Sequence, residues 1–139
     1  MIHPDASTHN AARMPIGFWM CVPVAVLQAF NAGRAALDPQ GFAMYLGAPL
    51  AAPGDASWVL IYGLRAAFIA LFVAALVARR DLNALKWAAL AALILPLGDA
   101  WVARQAGAET SNIVRHAAIA AYLVLTTIAL FAAPTARAK

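Results

Sequence analysis

The sequence predicts an all-α fold: a polytopic membrane protein built as an antiparallel bundle of four transmembrane helices. Three observations predict it. The 139 residues are 64% hydrophobic and only 12% charged, where a soluble domain is nearer half apolar and a quarter charged. The apolar residues gather into four stretches, each matching the roughly 20 residues that carry a helix across a bilayer. The links between them are short, or rich in Pro and Gly. A soluble domain of this size has too little interior to hide so much apolar surface.

Residues 1–14 read as a polar N-terminal tail, 15–134 as the transmembrane domain and 135–139 as a C-terminal tail. The spans are expected at about 16–37, 57–79, 82–105 and 111–133. The first opens at Pro15, a residue suited to a first helical turn. Pro23 lies inside it and leaves the carbonyl of Trp19 without its usual donor, which predicts a kink. Arg13 precedes this span as a charged leader precedes a signal peptide. The apolar stretch is longer than a signal's core, however, and three more spans follow, so it reads as a retained helix.

The connection 38–56 contains Pro39, Gly41, Gly47, Pro49, Pro53 and Gly54, which argues against a continuous helix. It also holds Phe42, Met44, Tyr45 and Leu46. Two readings fit: a lid folded over the bundle, or aromatic anchors at headgroup level. In the second span Tyr62, Ala66, Ala70, Ala74 and Ala78 recur every four residues. That stripe predicts close contact with a helix of the same chain or of another subunit. Arg79-Arg80-Asp81 is a tight link. In the third span Ala84, Ala88, Ala92, Pro96 and Asp99 share one side, and Pro96 and Gly98 should loosen the helix just before Asp99. Ser111 and Asn112 are expected to cap the fourth span, which stops before Pro134.

Arg13, Arg79, Arg80, Lys86, Arg137 and Lys139 fall on one side of the threading, and only Arg104 edges the other. The positive-inside rule then puts both termini in the cytoplasm, as in a multi-pass protein of a bacterial inner membrane. The bilayer is one expected partner. Nucleic acid is not, despite a net charge of +4, because the basic residues are dispersed and several sit inside spans. Cys21 is the single cysteine, which excludes an intramolecular disulfide and reads as a small buried residue. No cofactor and no metal are expected. The spans hold no second histidine for a bis-histidine haem, and Asp99 with His116 lack a third ligand. No glycine-rich phosphate loop occurs, and Ser57 and Ser111 have no evident base. Trp19, Trp58, Trp87 and Trp101 read as interface and packing residues.

The informative feature is a polar belt. When the spans are threaded back and forth, Asn31, Arg34, Tyr62, Arg65, Asp99, Arg115 and His116 fall near one face. The deeper of them lie roughly 7–12 Å below the span ends at about 1.5 Å per residue. Gln28, Asn31 and Arg34 line one face of the first span at three-residue spacing, and Tyr62 and Arg65 do so on the second. Charges in hydrocarbon are costly, so they pair, face inward or line a wet cavity. Arg34 and Arg115 are shallow enough to snorkel to the headgroups.

Several functional classes fit the belt. Arg65 and Asp99 would form a buried ion pair that fixes helix register. Alternatively the belt binds a small amphipathic or lipid-like molecule, its polar head held by arginine forks. A third reading is an isomerase or hydrolase acting on a lipophilic substrate, with Asp99 or His116 as acid or base and Arg65 stabilising negative charge. A fourth is a structural subunit that pairs with a second copy or sits in a larger membrane complex.

The segments Asn31-Ala-Gly-Arg34, Asp38-Pro39 with Gly41-Phe42-Ala43 and Gly47, Tyr62-Gly63-Leu64-Arg65, Gly98-Asp99 and His116 carry a likeness. Over roughly Gly17–Phe131 the chain resembles a family of small four-helix bacterial membrane proteins classed as a domain of unknown function. The resemblance implies a four-helix integral membrane fold and no particular activity. In architecture alone the chain also looks like the DoxX-like small membrane proteins.

Overall fold

A computed structural model describes residues 14–133. The expected tails lie outside these residues, apart from Met14. The described chain is all helical: α1 (Ile16–Leu37), α2 (Pro39–Leu46), a short 3-10 turn (Pro53–Asp55), α3 (Ala56–Ala78), α4 (Leu82–Ala92), α5 (Ile94–Gln105) and α6 (Thr110–Phe131). With α4 and α5 read as one stretch, four helices are long and apolar enough to cross a membrane. Only 22–33% of each apolar window is buried inside the protein. The remainder turns outward: Leu64, Leu71 and Ile94 are 72%, 73% and 73% exposed. Such a surface is stable only in lipid, and this is a multi-pass membrane protein.

Two apolar clusters sit at opposite ends of the long helices. Phe18 and Cys21 at the start of α1 meet Leu76 late in α3, Leu85 and Ala89 in α4, and Leu130 near the end of α6. At the other end Ala35 of α1 and Val59 of α3 pack with Phe42, Ala43 and Leu46 of α2. Small residues permit the close approaches. A Cβ on Gly63 would stand 2.7 Å from the Cβ of Ala35, and one on Gly17 would stand 2.6 Å from the backbone nitrogen of Leu130.

The alanine stripe of α3 is only half used. Ala66 and Ala70 are buried, but Ala74 and Ala78 are exposed, and burial passes instead to Leu76. A four-residue step overshoots the 3.6-residue turn, so the stripe rotates off the contact face within a few turns. The packed face is Val59, Gly63, Ala66 and Ala70.

The connection after α1 contains an unexpected helix. Asp38 caps α2, its Oδ1 accepting the Gly41 N–H at 2.9 Å, and Pro39 opens the first turn. Gly47 ends it at φ +84°, a left-handed value that a side chain would strain. Phe42 is fully buried, so it is a core residue and not a headgroup anchor, and α2 covers this end of the bundle. Asp55 folds the remaining link, with Oδ2 accepting the N–H groups of Ala51 and Ala52 at 3.0 and 2.8 Å.

The third long stretch breaks at Leu93, between α4 and α5. Pro96 has no N–H to give to the carbonyl of Ala92, so the ladder loosens one turn before the proline. At that break the Leu93 N–H donates to Leu90 in a tighter i–3 bond of 3.3 Å. Pro23 leaves α1 helical throughout, while the hydroxyl of Tyr122 donates to the nearby Met20 carbonyl at 3.0 Å. Glu109, rather than Ser111 or Asn112, occupies the cap position of α6. The helix begins at Thr110, two residues earlier than a Ser111 cap implies and three earlier than an Asn112 cap, which puts both inside the first turn.

Candidate functional site

The acidic residues sort the chemistry. Asp38 and Asp81 spend their carboxylates on helix starts, and Asp55 spends its own on a turn. Asp99 is the acid that remains within a span, on α5. Tyr62 and Arg65 sit one turn apart on α3 and both point to it. The Tyr62 hydroxyl donates to Oδ2 at 3.2 Å, and Arg65 Nη2 donates to Oδ1 at 3.4 Å. The Arg65 guanidinium lies 4.5 Å from the centroid of the Tyr62 ring. The three side chains therefore form one cluster with an aromatic floor.

Arg115 and His116 approach from α6. The last carbonyls of a helix lack intrahelical donors and carry the negative end of its dipole. These two residues serve the end of α2. Arg115 Nη1 donates to the carbonyl of Tyr45 and, at 3.0 Å, to Asn112 Oδ1. The Arg115 guanidinium also lies 4.1 Å from the Tyr45 ring centroid. His116 Nε2 lies 3.2 Å from the carbonyl of Leu46. A carbonyl only accepts, so this contact puts the proton on Nε2 and leaves Nδ1 as the basic nitrogen of the neutral ring.

Asn31 on α1 is buried at 6% exposure. Its Oδ1 is enclosed, and no group among the described residues donates to it. Gln28 and Asn31, Tyr62 and Arg65, Asp99, and Arg115 and His116 line one chamber of about 40 Å³. That is room for about three waters at roughly 10–15 Å³ each. A more open cleft of about 180 Å³ adjoins it, sharing Leu46, Tyr62, Arg65, Asp99 and His116.

The structure thus brings Asn31, Tyr62, Arg65, Asp99, Arg115 and His116 together and leaves Arg34 apart. The Arg34 guanidinium lies 5.0 Å from the centroid of the Tyr45 ring and 5.8 Å from that of Phe42, both on α2. Each three-residue step falls about 60° short of a full turn, so Arg34, two such steps past Gln28, has drifted off the chamber face toward α2. Sequence reasoning missed the carbonyls of Tyr45 and Leu46. The signal was present: Asp38-Pro39 followed by Gly47 is a helix start and stop around eight residues. Among the described residues, no three His, Cys, Asp or Glu side chains gather as a metal site would require.

Comparison with known proteins assigns the chain to a group. Residues 25–130 match the family model described as Domain of unknown function (DUF4267). The chain belongs to the DUF4267 family. No curated protein and no solved structure matches it significantly. Every residue lining the chamber of this DUF4267 protein, except Val24, lies inside the matched segment.

Proposed function

We propose that this DUF4267 protein is an inner-membrane protein that binds a small amphipathic or lipid-like molecule by its polar head. In this reading the four spans run antiparallel, both termini are cytoplasmic and the polar site lies in the outer half of the bilayer. One observation carries the proposal: side chains from α1, α3, α5 and α6 converge on a single chamber.

The dimensions define what enters. The chamber and cleft, at about 40 and 180 Å³, fall short of the roughly 300–1,000 Å³ of sites that swallow a whole drug-sized ligand. A head group fits there, and a tail stays outside. Arg65 and Arg115 outnumber Asp99 along the wall, which favours a head carrying negative charge or strong acceptors. The purely structural reading is less well supported. The Arg65–Asp99 contact is a single one of 3.4 Å, longer than a tight charge-assisted bond, so it is weak glue for helix register.

Native mass spectrometry of gently extracted protein tests the proposal. Wild type is expected to carry a co-purifying small molecule that Arg65→Ala loses. Empty wild type, with no difference in the variant, overturns it.

A second reading has its own observation. His116 and Asp99 line the same chamber, and with Nε2 held by the Leu46 carbonyl Nδ1 is the nitrogen left for proton transfer. Isomerisation or hydrolysis of a lipophilic substrate would use Asp99 and His116 as acid and base, with Arg65 facing the developing charge. On this reading Asp99→Asn binds the ligand but turns over no substrate, and undiminished turnover removes Asp99 from the mechanism.

A further inference from the structure

We propose that the hydrocarbon chain of the ligand lies in the groove between α1 and α6, and that Asn31 accepts a hydrogen bond from a hydroxyl on its head. This rests on the amphipathic-ligand reading and names the class of molecule: a single-chain lipid with a hydroxylated head.

The groove is an open space of about 300 Å³ lined by Pro23 on α1 and by Ala118 and Tyr122 on α6, among others. Its lining is almost wholly apolar. The one hydroxyl there, that of Tyr122, already donates to the Met20 carbonyl. Apart from the Gln28 amide on the wall shared with the chamber, a polar occupant would find no free partner in it, and a hydrocarbon chain needs none.

The groove and the polar chamber share a wall. Val24, Leu27, Gln28, Ile119 and Leu123 line both. Rotamer changes of these side chains would open the partition. A chain lying in the groove would then deliver its head into the chamber past the Gln28 amide. Asn31 stands one turn beyond Gln28 on the same helix face.

Asn31 supplies the independent sign of a ligand. Its side-chain oxygen is buried and has no donor among the described residues, and Asn31 is a lining residue of the chamber. Buried acceptors are rarely left so. A bare carboxylate or a sulfonate cannot satisfy an acceptor, because neither has a proton to donate. A hydroxyl can, while its neighbouring oxygens face Arg65 and Arg115.

The test uses full-length protein in nanodiscs with a monoacylglycerol bearing a diazirine at the chain end. A comparator carries the same chain and a head capped as methyl ethers. Crosslinks are expected on residues 23–28 and 118–123. Ala118→Trp fills the groove from its exposed face and should cut labelling about tenfold or more. Wild type should prefer the free hydroxyl about tenfold, and Asn31→Leu should erase that preference. Crosslinks on 58–65 or 99–103 instead, or full labelling of Ala118→Trp, overturn the groove. No preference in wild type, or one retained in Asn31→Leu, means that water alone serves Asn31 and overturns the hydroxyl assignment. If Arg65→Met abolishes labelling while Ala118→Trp does not, the head-binding reading stands and this inference falls. If wild type takes no probe and co-purifies nothing, both fall.

Discussion

Arg65 reaches Asp99 across the α3–α5 boundary at 3.4 Å, and the guanidinium side of the pair is 43% exposed. At that length, beyond the roughly 2.7–2.9 Å of a tight charge-assisted bond, the pair holds a position without holding the fold together. Two cations, Arg65 and Arg115, remain on a chamber wall that offers one carboxylate.

The first prediction follows from that pair. A double-mutant cycle with Arg65→Met and Asp99→Leu should give a coupling energy below about 1 kcal/mol, as interhelical polar contacts in membranes commonly do. Unfolding monitored in detergent would measure it. The double variant should fold about as well as wild type, since apolar replacements of paired charges are often neutral. A coupling of about 3 kcal/mol or more would restore the structural reading.

The glycines of α1 make a matched second prediction. At Gly17 a Cβ would meet the backbone of Leu130 and Ala129 at 2.6 and 2.8 Å, whereas at Gly33 nothing lies within 4 Å. Backbone cannot swing aside as a side chain does. Gly17→Ala should cost about 1–3 kcal/mol through overpacking. Gly33→Ala should be neutral, or gain up to about 1 kcal/mol of helix propensity. Thermal melts of the two variants, side by side, decide it.

Phe42 carries the third. It is fully buried between α1 and α3, and its loss should cost about 3–5 kcal/mol if the site does not collapse. The damage should be local. Hydrogen exchange in Phe42→Ala should rise across residues 39–46 and remain slow in the middle of α3. Freed from the carbonyls of Tyr45 and Leu46, Arg115 and His116 should then lose their fixed orientation and ligand binding should weaken. Uniform exchange through all helices would instead make α2 essential to the whole fold.

Much of this was legible from residue types. Hydropathy alone marked the four long helices, because lipid-facing spans leave an unmistakable run of apolar residues. Tyr62, Arg65, Asp99 and His116 stood out because polar side chains in such runs are costly. What stayed hidden depended on rotation rather than height. Spacing put Arg34 on the face of Asn31, yet the chamber takes Asn31 and leaves Arg34 to Tyr45. The stripe from Ala66 to Ala78 looked continuous, yet helical drift removes its second half from the contact. Main-chain partners were invisible for a different reason. The carbonyls of Tyr45 and Leu46 enter the site only because α2 ends there, and no side chain advertises a carbonyl.

Orientation supplies the last prediction, and the proposed function depends on it. The link between α3 and α4 carries Arg79 and Arg80, with Lys86 in the following turns, while the link between α5 and α6 carries Glu109. Basic residues resist translocation, so the first link should be cytoplasmic and the second external. Cys21 is buried and is the only native cysteine, so a Cys21→Ala background gives clean labelling. Asn83→Cys and Ala106→Cys are suitable reporters, since both positions are exposed and neither change removes a charge. A membrane-impermeant maleimide added to intact cells should label Ala106→Cys at once and Asn83→Cys only after permeabilisation. The reverse pattern would turn the cleft beside Trp58 and Asp99 toward the cytoplasmic leaflet. The site would keep its chemistry but draw its ligand from the opposite lipid pool.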